Sequence, residues 1–345
     1  MKALVFHEPG RITVEERPAP EPGPGEALVR VAATSICHSD IRVFRGLKRA
    51  SPGVIPGHEV AGVVAAVGPG VSSVRPGDRV AIDPIVADGD CFFCRQGKRN
   101  RCLNRVTLGY ERDGGLAEYL LAPAALVAQG HLLPVPDGVP LTRACLTEPL
   151  ACVLNSLETC RVAAGASLLL IGAGPMGLTH LIAARALGAT TIVVSEPDAA
   201  RRELARAFGA SDVLDPQADD PVRATREATG GLGADAVVVT AGLPDVVPLA
   251  LAAVRRQGVV NLFAGFPPGT TVTLDVNAVH YGELVLTGSQ NATTDQYRRA
   301  LALLARLPEI DRIVTHRFSI DDAVRAYDVR LAGEGLKSMV VFEEA

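Results

Sequence analysis

The sequence predicts an α/β protein with two domains, an antiparallel, barrel-like β domain and a doubly wound parallel sheet. A chain of 345 residues with 48% hydrophobic content can bury two cores. Up to about residue 145, short β-branched runs alternate with Gly and Pro turn signals, as in antiparallel strands. From residue 167 to about 290, buried apolar runs alternate with helical patterns, as in a parallel sheet covered on both faces.

Individual elements follow from these patterns. The first domain has strand-like runs at "ALVRVAAT", "VAGVVAAVG" and "DRVAIDP", separated by turn signals such as "PGPG" and "RPGD". Six runs predict the parallel sheet: "LLLIGAG", "TIVVSE", "DVLD", "ADAVVVTAG", "GVVNLFAG" and "LVLTGS". The tail predicts helices, one with a capping-box pattern from Thr293 to Gln296 and one that opens similarly with Ser319 and Asp322.

Charge and apolar patterning exclude several classes of partner. The net charge of −4 and the pI near 6.0 offer no basic surface to a nucleic acid or an acidic membrane. The first residues, "MKALVFHEPGRITVEE", alternate like a strand and lack the apolar segment of a signal peptide, and no apolar run reaches membrane-spanning length. We therefore expect a cytoplasmic protein. Because the cytosol keeps thiols reduced, the seven cysteines of the chain favour metal binding over disulfides.

A dinucleotide site is predicted in "LLLIGAGPMGLTHLIAARALGATTIVVSEPD", where a GxGxxG motif joins a strand to a helix. The first glycine permits the tight turn, the second lets the backbone approach the pyrophosphate, and the third lets the helix pack on the strand. The positive helix N-terminus stabilises the anion. The candidate loop residues are Gly172, Gly174, Pro175, Met176 and Gly177.

The residue at the end of the next strand indicates which dinucleotide binds. Glu196 can accept hydrogen bonds from both ribose hydroxyls, and its charge would repel the extra phosphate of NADP, so NAD is predicted. Arg201 and Arg202 weaken this prediction, because an arginine there can receive that phosphate. The alternative is that both arginines belong to a solvated helix face; Arg201 stays a candidate contact.

A catalytic metal site is indicated by "ICHSD" and "PGHEVAG". Catalytic zinc takes three protein ligands and leaves the fourth position for water or substrate. Cys37 and His58 suit two of these positions. By spacing alone, the third ligand could be Cys145, Glu148 or Cys152, because positions three and four apart share a helix face.

A second cysteine cluster occurs in "DGDCFFCRQGKRNRC". Cys91, Cys94 and Cys102 have the spacing C-x2-C-x7-C, and Asp88 stands three residues ahead of the first. The stretch is either a four-ligand metal knot with one unusual ligand or a loop that contains thiols. Aspartate can complete a zinc tetrahedron, with a metal–oxygen distance of about 2.0 to 2.2 Å.

The order of the motifs resembles the zinc-dependent medium-chain dehydrogenase/reductase family over essentially the whole chain. The segments are "ICHSD", "PGHEVAGVVAAVG", "RPGDRVA", the cysteine-rich stretch, "DGGLAEYLLAP", "TEPLACVLNSL" and the GxGxxG unit. Within the family, "TEPLA" resembles the sorbitol and threonine dehydrogenase branch. The resemblance implies a GroES-like catalytic domain over residues 1–149 and 290–345, and a Rossmann NAD-binding domain over residues 150–289.

The resemblance also implies roles in the catalytic site. Glu148 takes the third zinc ligand position beside Cys37 and His58, and the remaining cysteines of that region become small buried hydrophobes. Asp40 supports the ligand histidine from behind. Glu59 lies close behind the metal and can exchange with its water.

For the second cluster, the family pattern is C-x2-C-x2-C-x7-C, and this chain has Asp88 where the first cysteine belongs. The resemblance therefore implies a structural zinc held by Asp88, Cys91, Cys94 and Cys102, concerned with subunit contacts. An empty lobe, or Asp90 in place of Asp88, is the alternative.

The implied reaction is reversible NAD-linked oxidation of a secondary alcohol to a ketone. Ser39 would take the substrate proton, and family members often pass it to a histidine at the position that here holds Arg42, so another route is needed. Gly265 and Ser289 are expected near the nicotinamide, and Lys337 near the pyrophosphate.

The implied substrates are polyols, cyclitols or amino alcohols, and "GSQNATTDQYRRALALL" resembles 2-deoxy-scyllo-inosamine dehydrogenases. A homo-oligomer is expected, as a tetramer or otherwise a dimer.

Two other functions are alternatives to alcohol oxidation. A zinc-free NADPH quinone or enone reductase would need none of the metal ligands, and a non-catalytic NAD-binding protein would lack one of them.

Overall fold

The computed structural model describes residues 1–342. The chain divides into two compact units. The first unit comprises Met1–Ala151 and the chain from Ala292 onward, and the second comprises Cys152–Asn291.

The elements before the second unit are mainly short strands. The strands are β1 Lys2–Glu8, β2 Arg11–Glu16, β3 Ala27–Ser35, β4 Glu59–Val67, β5 Arg79–Ile82, β6 Ile85–Val86, β7 Val106–Thr107, β8 Tyr119–Ala122 and β9 Leu132–Pro134. The helices are α1 His38–Phe44, α2 Phe92–Arg95, α3 Ala124–Ala128 and α4 Leu141–Ala144, with a 3-10 turn at Arg99–Arg101. Helix α5 Thr147–Thr159 begins in the first unit and continues into the second.

The second unit alternates strands and helices. Its strands are β10 Ser167–Ile171, β11 Thr191–Ser195, β12 Asp212–Leu214, β13 Ala234–Val239, β14 Val254–Leu262 and β15 Val285–Gly288. Its helices are α6 Pro175–Ala186, α7 Ala199–Ala207, α8 Pro221–Ala228, α9 Val246–Ala253 and α10 Val276–Gly282. All strand pairs are parallel, in the order β12-β11-β10-β13-β14-β15. The predicted six-stranded doubly wound sheet is confirmed, and strand order reverses beside β10, where such sheets bind ligands.

The tail returns to the first unit and contains both helices and strands. Its elements are α11 Thr294–Leu304, β16 Val314–Phe318, α12 Ala323–Leu331 and β17 Lys337–Val341, with 3-10 turns at Pro308–Ile313 and Ile320–Asp322. The predicted capping box of α11 is confirmed, because Thr293 accepts from Gln296 N and the Gln296 side chain binds the Thr293 backbone. The second helix begins later than predicted, after the 3-10 turn that follows Ser319.

A purely helical tail was the wrong expectation. Strand β17 pairs antiparallel with β3, and β16 adds in parallel to β17. The resulting sheet has the order β16-β17-β3-β4-β5-β9, with β8 also paired to β3. The remaining pairs within it are antiparallel, as predicted for a barrel-like unit. Within the described part of the chain, no helix is long and apolar enough to cross a membrane.

Candidate metal centres and dinucleotide site

The sheet of the first unit brings Cys37 and His58 together. Strand β3 ends at Ser35 and β4 begins at Glu59, and these two residues face each other in the antiparallel register. Cys37, two residues beyond β3, and His58, just before β4, therefore lie at the same end of the strand pair. Ligand atoms of Cys37, His58 and Glu59 all lie within 4.8 Å of one another.

Asp40 stabilises this arrangement from α1. Its Oδ2 accepts a hydrogen bond of 2.9 Å from the Cys37 backbone, and its Oδ1 lies 3.3 Å from His58 Nδ1. Burial would lower the pKa of His58, but the charges of Asp40 and Cys37 outweigh burial and hold that pKa well above its usual value. A metal would replace the imidazole proton, so binding of the metal is coupled to proton release.

Tyr110 is a member of this site that the sequence reasoning missed. The buried phenol places its hydroxyl 2.7 Å from Ser39 Oγ and 3.1 Å from His58 Nδ1. Ser39 Oγ itself lies 3.4 Å from His58 Nε2. Burial raises the pKa of Tyr110 well above its usual value, so the phenol is protonated. No spacing rule singles out Tyr110, which precedes the quoted "DGGLAEY" segment by three residues.

Glu59 has a second partner, Lys337 at the start of β17. The two side chains form a buried ion pair of 2.7 Å, and Ser35 Oγ also donates to the Glu59 carboxylate. Burial would lower the pKa of Lys337, but the Glu59 carboxylate outweighs it and raises that pKa. The structure thus places Lys337 against Glu59, and its predicted contact with a pyrophosphate stays a prediction.

The three residues considered for the third ligand position differ in setting. Glu148 is buried in the first turn of α5, and its charge acts on Tyr110. Its carboxylate is outside the group of mutually close ligand atoms that the described residues form. The buried Cys145 thiol donates to the Glu59 carbonyl at 3.1 Å, and burial raises its pKa to about 12, which suits a structural role. Cys152 is half-buried on α5. Ligation by Glu148 stays a prediction.

The second cluster gathers all four predicted ligands. Ligand atoms of Asp88, Cys91, Cys94 and Cys102 lie within 4.8 Å of one another. Hydrogen bonds from the backbone of Cys91 and of Asp90, and from the Asn104 amide, hold the pKa of Asp88 well below its usual range. The carboxylate is therefore ionised and oriented towards the thiols.

Asp90, the alternative ligand, faces elsewhere. Its exposed carboxylate pairs with Arg95 at 2.8 Å. One carboxylate and three sulfur atoms form a donor set that suits structural zinc, so the residues present fit the metal at this lobe. Cysteine, histidine and carboxylate donors fit it equally at the first centre.

The dinucleotide motif has the geometry that the glycines predict. Gly172 follows β10 with a φ of +103°, and a Cβ at Gly177 would lie 2.0 Å from the Gly172 carbonyl oxygen. At Gly174, the N-cap of α6, a Cβ would meet no heavy atom within 4 Å. Pro175 and Met176 form the first turn of α6. The loop therefore packs tightly against its own helix and leaves open space at the helix N-terminus, where an anion would bind.

Glu196 lies buried at the end of β11, facing the same loop. Its carboxylate accepts hydrogen bonds of 2.6 Å from Ala173 N and 3.0 Å from Asp198 N. Arg202 is not on a solvated face, because it donates to the Glu196 carbonyl and pairs with Asp215 at 3.0 Å. Arg201 is in the first turn of α7, where its backbone N–H binds the Asp198 cap.

A buried hydrogen-bond network, which the sequence reasoning did not predict, connects β14 and the end of β15 to helices α5 and α6. Asn261 on β14 donates to Ser289 Oγ at 3.0 Å and to Ser156 Oγ at 2.9 Å. His180 on α6 lies 2.9 Å from Ser156 Oγ, and burial lowers its pKa to about 4. Ser289, which follows β15, is thereby fixed; Gly265 lies beyond β14.

Two family descriptions match the chain: "Alcohol dehydrogenase GroES-like domain" over residues 23–137 and "Zinc-binding dehydrogenase" over residues 175–306. L-threonine 3-dehydrogenase of Pyrococcus horikoshii is 33% identical over 97% of this chain and 96% of its own. Sorbitol dehydrogenase of Bacillus subtilis is 31% identical over 99% and 97%.

Among solved structures, a protein of Sinorhizobium meliloti 1021, described as a zinc-binding dehydrogenase bound to NADP, is similar. It superposes with a TM-score of 0.92, at 32% identity over 99% of both chains. Full-length similarity at these identities agrees with the fold and with the order of motifs. The chain therefore belongs to the zinc-dependent alcohol dehydrogenases of the medium-chain dehydrogenase/reductase family, in the branch of the sorbitol and threonine dehydrogenases.

Proposed function

We propose that the protein oxidises a secondary alcohol of a small polar substrate, a polyol, cyclitol or amino alcohol, to a ketone with NAD. Zinc-dependent, nicotinamide-linked alcohol oxidation is the activity of its family. The observation that carries the proposal is the convergence of a thiol, an imidazole and a carboxylate beside the Ser39 hydroxyl. The zinc-free reductase and the non-catalytic binder would need none of this.

Cys37, His58 and Glu148 are the proposed ligands of the catalytic zinc, with Glu59 close behind as a carboxylate that would exchange with the zinc-bound water. When bound, zinc supplies a Lewis acid that lowers the pKa of a hydroxyl group. The nicotinamide supplies a hydride acceptor. Asp40 holds the His58 ring through its contact at Nδ1, so Nε2 would be the nitrogen that holds the metal.

Ser39 is the proposed acceptor of the substrate proton. Its Oγ lies 2.7 Å from the Tyr110 hydroxyl, which orients the Ser39 hydroxyl. Arg42 stands at the position of the family's relay histidine, so the onward route of the proton uses ribose hydroxyls, water or another residue. Tyr110 also excludes water from the face of His58 that it covers.

NAD is proposed over NADP because of Glu196. The buried carboxylate is fixed beside the glycine loop by two backbone donors, and a 2′-phosphate there would meet its charge. Arg202 is occupied by Asp215, which removes one candidate phosphate ligand. The NADP-bound relative makes this a point to test directly.

Location and assembly are proposed as cytoplasmic and tetrameric, with a dimer as the alternative. Seven free cysteines support a reducing compartment. Size-exclusion chromatography with light scattering tests the assembly, and a mass of one chain would contradict it.

The test of the function is NADH formation with a panel of polyols, cyclitols and amino alcohols. We expect turnover with NAD, a kcat/KM for NADP lower by on the order of 100-fold, and no turnover by Cys37→Ser. Asp137→Asn, which changes an exposed carboxylate of the same unit, is the matched control and retains activity. Turnover by Cys37→Ser at the rate of the control would overturn the proposal.

A further inference from the structure

An unpaired basic segment connects the two halves of the catalytic cluster. Between Asp40 and Glu59 the only Lys, Arg, Asp or Glu residues are four cations, Arg42, Arg45, Lys48 and Arg49, which we call the basic segment. Within residues 1–342, none of the four forms an ion pair with a carboxylate. Four cations in eight residues that form no ion pair give this stretch a positive field beside the catalytic cluster, and such a field attracts an anionic ligand.

Lys48 is the member of the basic segment that reaches the cluster. Its ammonium lies 3.4 Å from the centre of the Tyr110 ring, a cation–π contact that holds the flexible side chain in place. The hydroxyl of the same ring contacts Ser39 Oγ and His58. Only the Tyr110 side chain therefore lies between the Lys48 ammonium and the Ser39 hydroxyl that is proposed to take the substrate proton. This separation corresponds to a few bonds in a small substrate.

The acidic groups near Lys48 do not account for its position. Partial burial lowers the pKa of the Lys48 ammonium, and the charges of Cys37, Asp40, Glu111 and Glu148 oppose that shift. Two of these, Cys37 and Glu148, are proposed zinc ligands, whose charge a divalent ion would neutralise. Asp40 is occupied by His58 and by the Cys37 backbone, and Glu111 accepts from Thr107 N at 2.9 Å. Lys48 is solvent-exposed, so its charge is available to a bound molecule.

We infer that the substrate carries an anionic group, a phosphate or a carboxylate, a few bonds from the carbinol that is oxidised, and that Lys48 binds this group. The inference rests on the proposed alcohol oxidation and narrows its substrate class. Lys48 then determines specificity, because a cation placed to bind an anion rejects the neutral analogue that leaves it unpaired. A substrate whose only charge is an ammonium group, such as a simple amino sugar alcohol, is disfavoured by the same charge.

The test compares matched pairs of alcohols with the zinc-loaded protein. The phosphate arm uses D-arabitol phosphate and D-arabitol, and the carboxylate arm uses 3-hydroxybutyrate and its reduced analogue 1,3-butanediol. In one arm we expect kcat/KM to favour the anionic member by on the order of 10- to 100-fold. Whichever arm shows the preference identifies the anion.

Lys48→Met is the diagnostic variant and Lys98→Met, a change to another exposed lysine of the same unit, is the control. Lys48→Met should remove the preference by raising KM for the anionic member, so that kcat/KM becomes similar for the two members of the pair. Lys98→Met should keep the preference. An equal kcat/KM for both members in both arms, or a preference that survives in Lys48→Met, overturns the inference.

A binding measurement separates this inference from the proposed function. If neutral alcohols are oxidised without an anionic preference, the function stands and the inference fails. If no alcohol is oxidised, the proposed function fails, and calorimetry of D-arabitol phosphate and 3-hydroxybutyrate with wild type and Lys48→Met decides the inference. Binding that is lost in Lys48→Met supports it, and absence of binding to wild type contradicts it.

Discussion

Two buried glutamates, Glu59 and Glu148, are the carboxylates considered for the centre of Cys37 and His58, and different consequences are predicted for the loss of each charge. Glu59 neutralises the buried Lys337 ammonium at 2.7 Å. Removing one partner of such a pair leaves an uncompensated buried charge, which costs about 3 to 5 kcal/mol. Glu148 is the proposed ligand, so losing its charge should weaken the binding of the metal.

We therefore expect Glu59→Gln to lower the melting temperature of the metal-free protein strongly. Glu148→Gln should instead lose the catalytic zinc and the NADH-forming activity. Differential scanning calorimetry and zinc analysis on both variants measure these effects. If Glu148→Gln keeps its zinc while Glu59→Gln loses it, Glu59 is the third ligand and the assignment of Glu148 is wrong.

A second residue-scale prediction concerns Asp83, which is buried against His131 and Thr294. Thr294 Oγ1 donates to Asp83 Oδ2 at 3.0 Å and lies 3.0 Å from His131 Nε2. His131 Nδ1 lies 3.6 Å from the same carboxylate. Burial raises the pKa of Asp83 from 3.8 to about 7 and lowers the pKa of His131 to about 4.

The sign of the pH dependence follows from the raised pKa of Asp83. Its protonated form stabilises the fold below the unfolded-state pKa, and this contribution is lost as the pH rises through about 7. Asp83→Asn cannot lose that proton, and His131 is common to both proteins. The variant should be more stable than wild type by on the order of 1 to 3 kcal/mol at about pH 8, and the difference should shrink towards about pH 5. Urea unfolding at both pH values measures this, and a difference of equal size at both would contradict it.

At the scale of elements, the turn between β10 and α6 separates two roles of glycine. A Cβ at Gly177 would meet the Gly172 carbonyl at 2.0 Å, whereas a Cβ at Gly174 would meet nothing within 4 Å. Gly177→Ala should therefore lower both the melting temperature and the affinity for NAD. Gly174→Ala should leave the melting temperature unchanged and weaken NAD binding by on the order of tenfold or more, because its methyl group enters the space proposed for the pyrophosphate. Equal NAD affinity in Gly174→Ala and wild type would place the pyrophosphate elsewhere.

The cysteine-rich lobe makes a prediction about metal content. Its small core consists of Ala87, Cys94 and Cys102, which is too little apolar surface to fold a loop by itself. We expect two zinc ions per chain in wild type, one in Asp88→Ala and two in Asp88→Cys. The thiols of Asp88→Ala should also react faster with a thiol reagent. Two zinc ions in Asp88→Ala would show that the carboxylate is not a ligand.

Which elements could be predicted depends on how local their signals are. The glycine motif and the capping box at Thr293 act within a few residues, so the sequence pattern identifies both. Strand β17 is stabilised by pairing with β3, about 300 residues earlier, and its five residues carry too little periodicity to distinguish a strand from a helix.

At the scale of the whole molecule, the distinction between local and long-range signals separates the site residues and contacts that the sequence could predict from those that it could not. Spacing and resemblance could identify Cys37, His58 and the lobe cysteines, since their motifs are contiguous. Tyr110 contacts Ser39 across 71 residues, and Lys337 contacts Glu59 across 278. Such contacts arise only when the sheet of the first unit assembles, because the chain itself gives no signal for which distant loop faces a strand end.

The most direct test of the central claim, zinc-dependent alcohol oxidation at the Cys37–His58 centre, is a zinc titration of the chelated protein. NADH formation from an accepted alcohol is followed as zinc is added back to wild type and to Cys37→Ala. The account predicts no activity in either metal-free protein, recovery of wild type with zinc, and no recovery of Cys37→Ala. Full activity of the metal-free wild type, or recovery of Cys37→Ala to the wild-type rate, would contradict it.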